Sequence, residues 1–255
     1  MFFCKWFKKK KEKLTVWSVI PELEKTGAGP VPAKKFIPEW FKTMQKDRGT
    51  DPSNYNISGH QNFNNIKHCP SFPWWFAQGY VLPLWCDLQI YVHNDKVYWT
   101  SPTDEFQFEF HRKDQFEQYI PKHASENILA VLKPVGPFRF KTPPGWQLQQ
   151  IPMFYEFNTV FDVLPGIIPS SQYFEVNPQM LLKKSAFTEE NNYSVIIPKG
   201  TPLAMYVPIP VDSLELDLIA ETPELKKENR IATLALNTKF KKRWKDYEKQ
   251  CPYKK

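Results

Sequence analysis

The 255-residue chain is 42% hydrophobic and 16% aromatic, with 24 Pro against 9 Gly and a formal net charge of +7. This composition supplies enough apolar material for one sizeable core, is too ring-rich for a disordered chain, and through its stiffening prolines argues against long helices. No window approaches the roughly 18 apolar residues of a membrane span. The opening MFFCKWFKKKKEK places its charge behind its apolar residues, the reverse of a secretory signal. Cys4, Cys69, Cys86 and Cys251 lie far apart with no CxxC pair, which argues against a disulfide scaffold or zinc knuckle and for reduced thiols.

Residues 14–20 (LTVWSVI) read as a strand ended by Pro21, followed by a loop over 25–32. Ile37, Trp40, Phe41 and Met44 fall on one helical face, which predicts a helix within 33–46. Residues 47–65, rich in Asn, Ser, Gly and Asp, read as a long loop, and a Pro- and ring-rich stretch (69–76) follows. Residues 79–85 are strand-like. In 87–93, Leu88, Ile90 and Val92 alternate with polar or ring residues, Asn94-Asp95 makes a turn, and 96–100 returns as a hairpin. Further short strands are expected at 106–110, 137–141, 146–151, 157–168, 172–176, 193–198 and 203–209. The turns Thr142-Pro-Pro-Gly145 and Lys199-Gly-Thr-Pro202 precede two of them. From about Glu224 the composition becomes helical, with Thr222 as cap and Pro223 in the first helical position. The expected fold is mainly β: a single antiparallel β-sandwich or open barrel over 14–222, with a short N-terminal helix and a C-terminal helix. A basic tail is expected at 1–13 and a basic helix and tail at 223–255.

The positive charge is concentrated at the ends. Residues 1–13 carry +5 and residues 239–255 carry +6, which leaves the body at 14–238 with −4. Lys8, Lys9 and Lys10 at one end, and Lys241, Lys242, Arg243 and Trp244 at the other, interleave charge with rings. The pattern suits nonspecific, salt-sensitive attraction to nucleic acid, an anionic membrane surface, or solvated ends whose rings dock on the body.

Several motifs in order carry a resemblance. They are Pro-Ala-Lys-Lys-x-Ile-Pro-x-Trp (32–40), Ile-Lys-x-Cys-Pro (66–70), Gly-Tyr-Val-Leu-Pro (79–83) with Cys86-Asp87, and His111-x-x-x-Gln115. Lys-Thr-Pro-Pro-Gly (141–145), Leu-Pro-Gly-Ile-Ile (164–168) and Ile-Pro-x-Gly-Thr-Pro-Leu (197–203) follow. Across 32–210 the chain resembles an uncharacterised protein family of T4-like tailed phages, including cyanophages, with distant bacterial relatives. The resemblance implies a phage origin and a β-rich fold but no mechanism. Related phage sequences tend to carry Asp-Thr-Asp where this chain has Pro169-Ser170-Ser171, so carboxylates that could serve a metal or a base are missing there.

The sequence carries few marks of chemistry. The five histidines form no His-x-His pair, so no metal site is expected. There is no Gly-x-Ser-x-Gly elbow and no phosphate-binding glycine loop, and no cofactor is expected. Cys69 and Cys86 are weighed as nucleophiles against a role as apolar filler. His111 and Gln115 form a polar pair that could line a pocket. Thr142, Gly145 and Trp146 with Lys199 and Thr201 could share a cleft, although each turn has an architectural explanation. Trp74-Trp75-Phe76 reads as core ahead of an exposed platform. The function expected is a non-enzymatic interaction or accessory structural module, in the host cytoplasm or the virion, with a host or virion protein as partner and scope for a homo-oligomer. The alternatives are a pocket enzyme or small-ligand binder at His111 and Gln115, and a nucleic-acid binder working through the tails.

Overall fold

The computed structural model describes residues 12–44, 71–94, 96–102, 107–111, 113–118 and 120–238. The 47–65 loop, the Cys69 and Cys251 thiols and the tail residues Lys8, Lys9, Lys10, Lys241, Lys242, Arg243 and Trp244 lie outside them. The chain divides into two units, residues 1–212 and 213–255.

The first unit is mainly β, as expected. Its strands are β1 (Thr15–Ser18), β2 (Val31–Pro32), β3 (Tyr80–Pro83), β4 (Leu88–His93), β5 (Lys96–Thr100), β6 (Gln107–His111) and β7 (Ile128–Val135). They continue with β8 (Phe138–Lys141), β9 (Trp146–Pro152), β10 (Phe161–Val163), β11 (Gly166–Ile168), β12 (Met180–Lys183), β13 (Ser194–Ile197) and β14 (Pro202–Pro210). All pair antiparallel. The sheet orders are β1-β8, β10-β12-β7-β6, β11-β9-β14-β3-β2 and β13-β4-β5. One core takes residues from all of them: Phe138 and Phe140, Leu132 and Leu182, Leu82 and Tyr206, Leu88 and Ile90. A second ring cluster, Phe41, Phe72 and Phe76 with Trp40, Trp75 and Tyr155, lies under the short helices α1 (Glu39–Thr43) and α2 (Ser71–Ala77). A further short helix, α3 (Lys122–Ser125), precedes β7.

The β4–β5 hairpin forms with Asn94 at φ 49. Asn tolerates the left-handed region better than most residues. Three expectations are corrected. The helix expected over 33–46 is broken into a 3-10 turn, Ala33–Phe36, and α1, because Ile37 and Pro38 are extended between them. That is the usual effect of a proline on the residue before it. The strand expected over 157–168 is split into β10 and β11, which belong to different sheets. Residues 172–176 form no strand and contribute only a bridge from Glu175 to Arg139. Three strands escaped the sequence reading, the two-residue β2 inside the expected 25–32 loop among them. β7 sits between β12 and β6 and is buried on both faces at Ala130, Val131 and Leu132, so it lacks alternation. β12 is only four residues long.

The second unit contains α4 (Pro223–Thr238). The expected start is present: the Leu225 amide donates to Thr222 Oγ1 at 3.2 Å, with Pro223 as the first helical residue. Among the described residues no helix is long and apolar enough to cross a membrane.

Candidate functional site

A concavity lies where β9 gives way to β10. From Pro152 the chain passes Met153, makes a 3-10 turn at Phe154–Glu156, and reverses at Phe157, whose φ is 48. That region is a real outlier for a bulky side chain and persists only where the surroundings impose it. Asn158 fixes the exit: its Oδ1 accepts from the amides of Val160 at 2.8 Å and Phe161 at 3.0 Å. Its carbonyl accepts from Lys183 Nζ at 2.7 Å, and the same ammonium pairs with Asp162 at 3.0 Å. The loop is anchored below by Trp40, whose indole N–H donates to the Tyr155 carbonyl at 3.0 Å, and by the Tyr155 ring against Phe72.

The result is a cleft of about 650 Å³. Its buried lining includes Met153, Phe161, Val163 and Leu203. On its rim, Phe154 and Phe157 are 65% and 60% exposed and meet edge to face. Asp162, Lys183 and Glu156 supply the polar margin. Partial burial raises the Glu156 carboxyl above its ordinary range, with Lys42 opposing.

β10 is also the end strand of its sheet. Lys183 N donates to the Val160 carbonyl and Leu164 N to the Gln179 carbonyl. This alternation turns the backbone of Asp162 toward β12 and that of Phe161 and Val163 away from it. The Phe161 amide is taken by Asn158. The Val163 amide and carbonyl have no partner among the described residues. An apolar cleft beside unpaired strand groups can accept an extended chain by adding a strand.

The residues singled out from the sequence sit elsewhere. His111 ends β6 opposite Val131, and its Nε2 is buried with no hydrogen-bond partner among the described residues. Gln115 is exposed in the 3-10 turn Lys113–Gln115, and neither residue lines the cleft. Thr142 is buried; its Oγ1 donates to the Trp146 carbonyl at 2.8 Å and bonds Ser170 Oγ at 2.9 Å. Ser170, in the segment where the resemblance lacks its carboxylates, is thus a buried clamp on this turn. Gly145 takes φ 81, and the Trp146 indole donates to Glu12 at 2.8 Å. At the other turn, the Lys199 amide donates to Asp87 Oδ1 at 2.7 Å, Gly200 takes φ 88, and Thr201 Oγ1 donates to the Pro198 carbonyl. The register sets Pro210 opposite Trp146 and Ala204 opposite Pro152. The two turns therefore lie at opposite ends of the β9–β14 ladder, about 20 Å apart, and share no cleft. Only the 199–202 turn reaches the concavity, through Pro202.

Cys86 is not an activated nucleophile: burial and the neighbouring Asp87 carboxylate push its thiol up to about 11. Phe76 is buried and Trp75 packs on the core. Among the described residues no group of three or more His, Cys, Asp or Glu is placed to hold a metal ion. The cleft residues Phe154, Phe157, Asp162 and Lys183 were not singled out from the sequence. The available signal was Asn158, a turn-forming residue between ring-dense and strand-like segments.

No protein-family model and no curated protein matches the chain. Among solved structures it is similar to the dUTPase of Staphylococcus bacteriophage 80alpha with dUpNHpp. A substituted form aligns at 11% identity and TM-score 0.34, over 83% of this chain and 90% of that chain. A second structure of that dUTPase aligns at 12% identity and TM-score 0.34, with the same coverage. A third, again a substituted form, reaches 14% identity and TM-score 0.24 over 48% of this chain and 99% of that one. At such scores the likeness carries no argument about chemistry here.

Proposed function

We propose that this is a non-enzymatic interaction module that seats an extended, apolar segment of a partner protein along β10, with side chains entering the aromatic-rimmed cleft. The observation that carries the reading is the coincidence of two features at one place. Phe154 and Phe157 stand exposed over an apolar floor, and the adjacent Val163 offers unpaired backbone groups. Rings at the rim supply contact area at little entropic cost, while the ladder supplies orientation. The resemblance to proteins of T4-like tailed phages supports a phage origin and a virion or host protein as the partner. Lys183 is held by the Asn158 carbonyl and Asp162, and Asn158 Oδ1 by two amides, so these polar groups serve the loop, which favours binding over turnover.

The test is panning of a random peptide library on the intact chain, with counter-selection on the Phe154→Ser, Phe157→Gly variant. Glycine suits the φ of 48 at position 157, so this variant keeps its loop path. The expected result is enrichment of extended peptides with apolar residues at every second position that bind only the unsubstituted protein. Failure to enrich any peptide over the counter-selected variant would overturn the reading.

A further inference from the structure

Residues 213–219, Ser-Leu-Glu-Leu-Asp-Leu-Ile, alternate leucine with acid at the period of a strand, yet they belong to no sheet. Leu214, Leu216 and Leu218 are 96%, 89% and 89% exposed. Within the described residues of their own unit, no amide or carbonyl from Ser213 to Glu221 has a hydrogen-bond partner. Apolar side chains on one face and free backbone groups along both edges make a strand without a sheet.

A sheet without its last strand is present in the same sequence. β13 is the edge of the β13-β4-β5 sheet. The Val92 amide donates to the Tyr193 carbonyl. This fixes the odd-numbered residues of β13 as those bonded to β4, and turns the backbone of Ser194 and Ile196 to the open side. Ile196 is 63% exposed. On the same face, the rings of Tyr91 and Tyr98 stack at 5.3 Å and also reach solvent. Backbone capacity separates this edge from that of β10. At β10 the Phe161 amide is already taken by Asn158, which leaves Val163 alone with both groups unpaired among the described residues. At β13 both Ser194 and Ile196 turn an unpaired amide and carbonyl outward.

From this juxtaposition we infer that the chain assembles with itself by arm exchange. The 213–219 segment of one copy adds as a strand to the β13 edge of a second copy, and its leucines extend the apolar face of Ile196, Tyr91 and Tyr98. The inference is independent of the β10 cleft.

Sedimentation equilibrium of the full chain tests it. The expected result is a concentration-dependent assembly of two or more 30.1 kDa chains. The triple variant Leu214→Glu, Leu216→Glu, Leu218→Glu removes the arm's apolar face and is expected to sediment as single chains. Ile196→Pro removes an amide that points away from β4, so the sheet stays intact while its edge is blocked; it too is expected to be monomeric. Far-UV circular dichroism checks that both remain folded. Mixing the two monomeric variants is expected to restore a mixed assembly, since one keeps the arm and the other keeps the edge. An unsubstituted chain that stays at 30.1 kDa at every concentration would overturn the inference. So would an assembly that survives both sets of substitutions, or a mixture that restores nothing.

Discussion

His111, Cys86 and Glu156 each make a separate prediction from their surroundings. A buried ring nitrogen without a partner costs on the order of 1–3 kcal/mol, and His111 Nε2 is such an atom. His111→Phe, which removes the unsatisfied atom and keeps the ring, is expected to leave stability unchanged or raised by about that amount, read from urea unfolding. A clear loss would mean that the imidazole holds a partner in solution. For Cys86, a thiol at about 11 against an ordinary 9.0 leaves little thiolate near neutrality. Alkylation at pH 8 followed by peptide mapping should find it labelled roughly 100-fold more slowly than an exposed cysteine. Glu156 concerns the cleft itself. Its carboxyl is raised in the folded protein, so the fold binds that proton more tightly than the unfolded chain does. Its ionisation therefore works against folding: stability falls as pH rises from the ordinary 4.5 through the raised value, and the penalty is fully present above it. Glu156→Gln should flatten that part of the stability–pH curve and should not lower stability at neutral pH.

Among the elements, the approach of β3 to β14 depends on one glycine. Gly79 takes φ 61, and a Cβ there would fall onto the Tyr206 carbonyl. Because the obstacle is backbone, Gly79→Ala is expected to cost about 3 kcal/mol or more, visible as a large drop in Tm. At the start of β10, Asn158→Ala strips two amides of their acceptor and should cost about 1–2 kcal/mol. What the sequence revealed about these elements follows their exposure. Strands with one wet face, such as β4 and β5, announce themselves by alternation, and the Thr222-Pro223 start of α4 is a local chemical signal. β7 has two covered faces and carries Lys133 and Pro134, so neither period nor composition marked it. The cleft was illegible for a related reason. Most of its lining is the continuous 152–163 segment, whose reversal at Phe157 carries no glycine to mark it, and Lys183, Ser185, Pro202 and Leu203 join it only through long-range pairing. The motifs that stood out, around Thr142 and Lys199, are rich in Pro and Gly because they build turns.

For the whole molecule, every residue of the described hydrophobic clusters lies before Asp212. A chain ending at Asp212 is expected to keep its near-UV circular dichroism and to melt cooperatively within a few degrees of the full protein. Loss of the transition would show that residues 213–255 contribute to the core. The central claim is that β10 and its aromatic-rimmed cleft receive a partner strand, and amide hydrogen exchange at Val163 tests it most directly. This amide faces away from β12, whereas its neighbour Asp162 faces toward it. With a peptide selected on the intact protein bound to saturation, exchange at Val163 should slow at least about tenfold, the effect of a new ladder bond, while Asp162 changes little. Unchanged exchange at Val163 in the saturated complex would contradict the account.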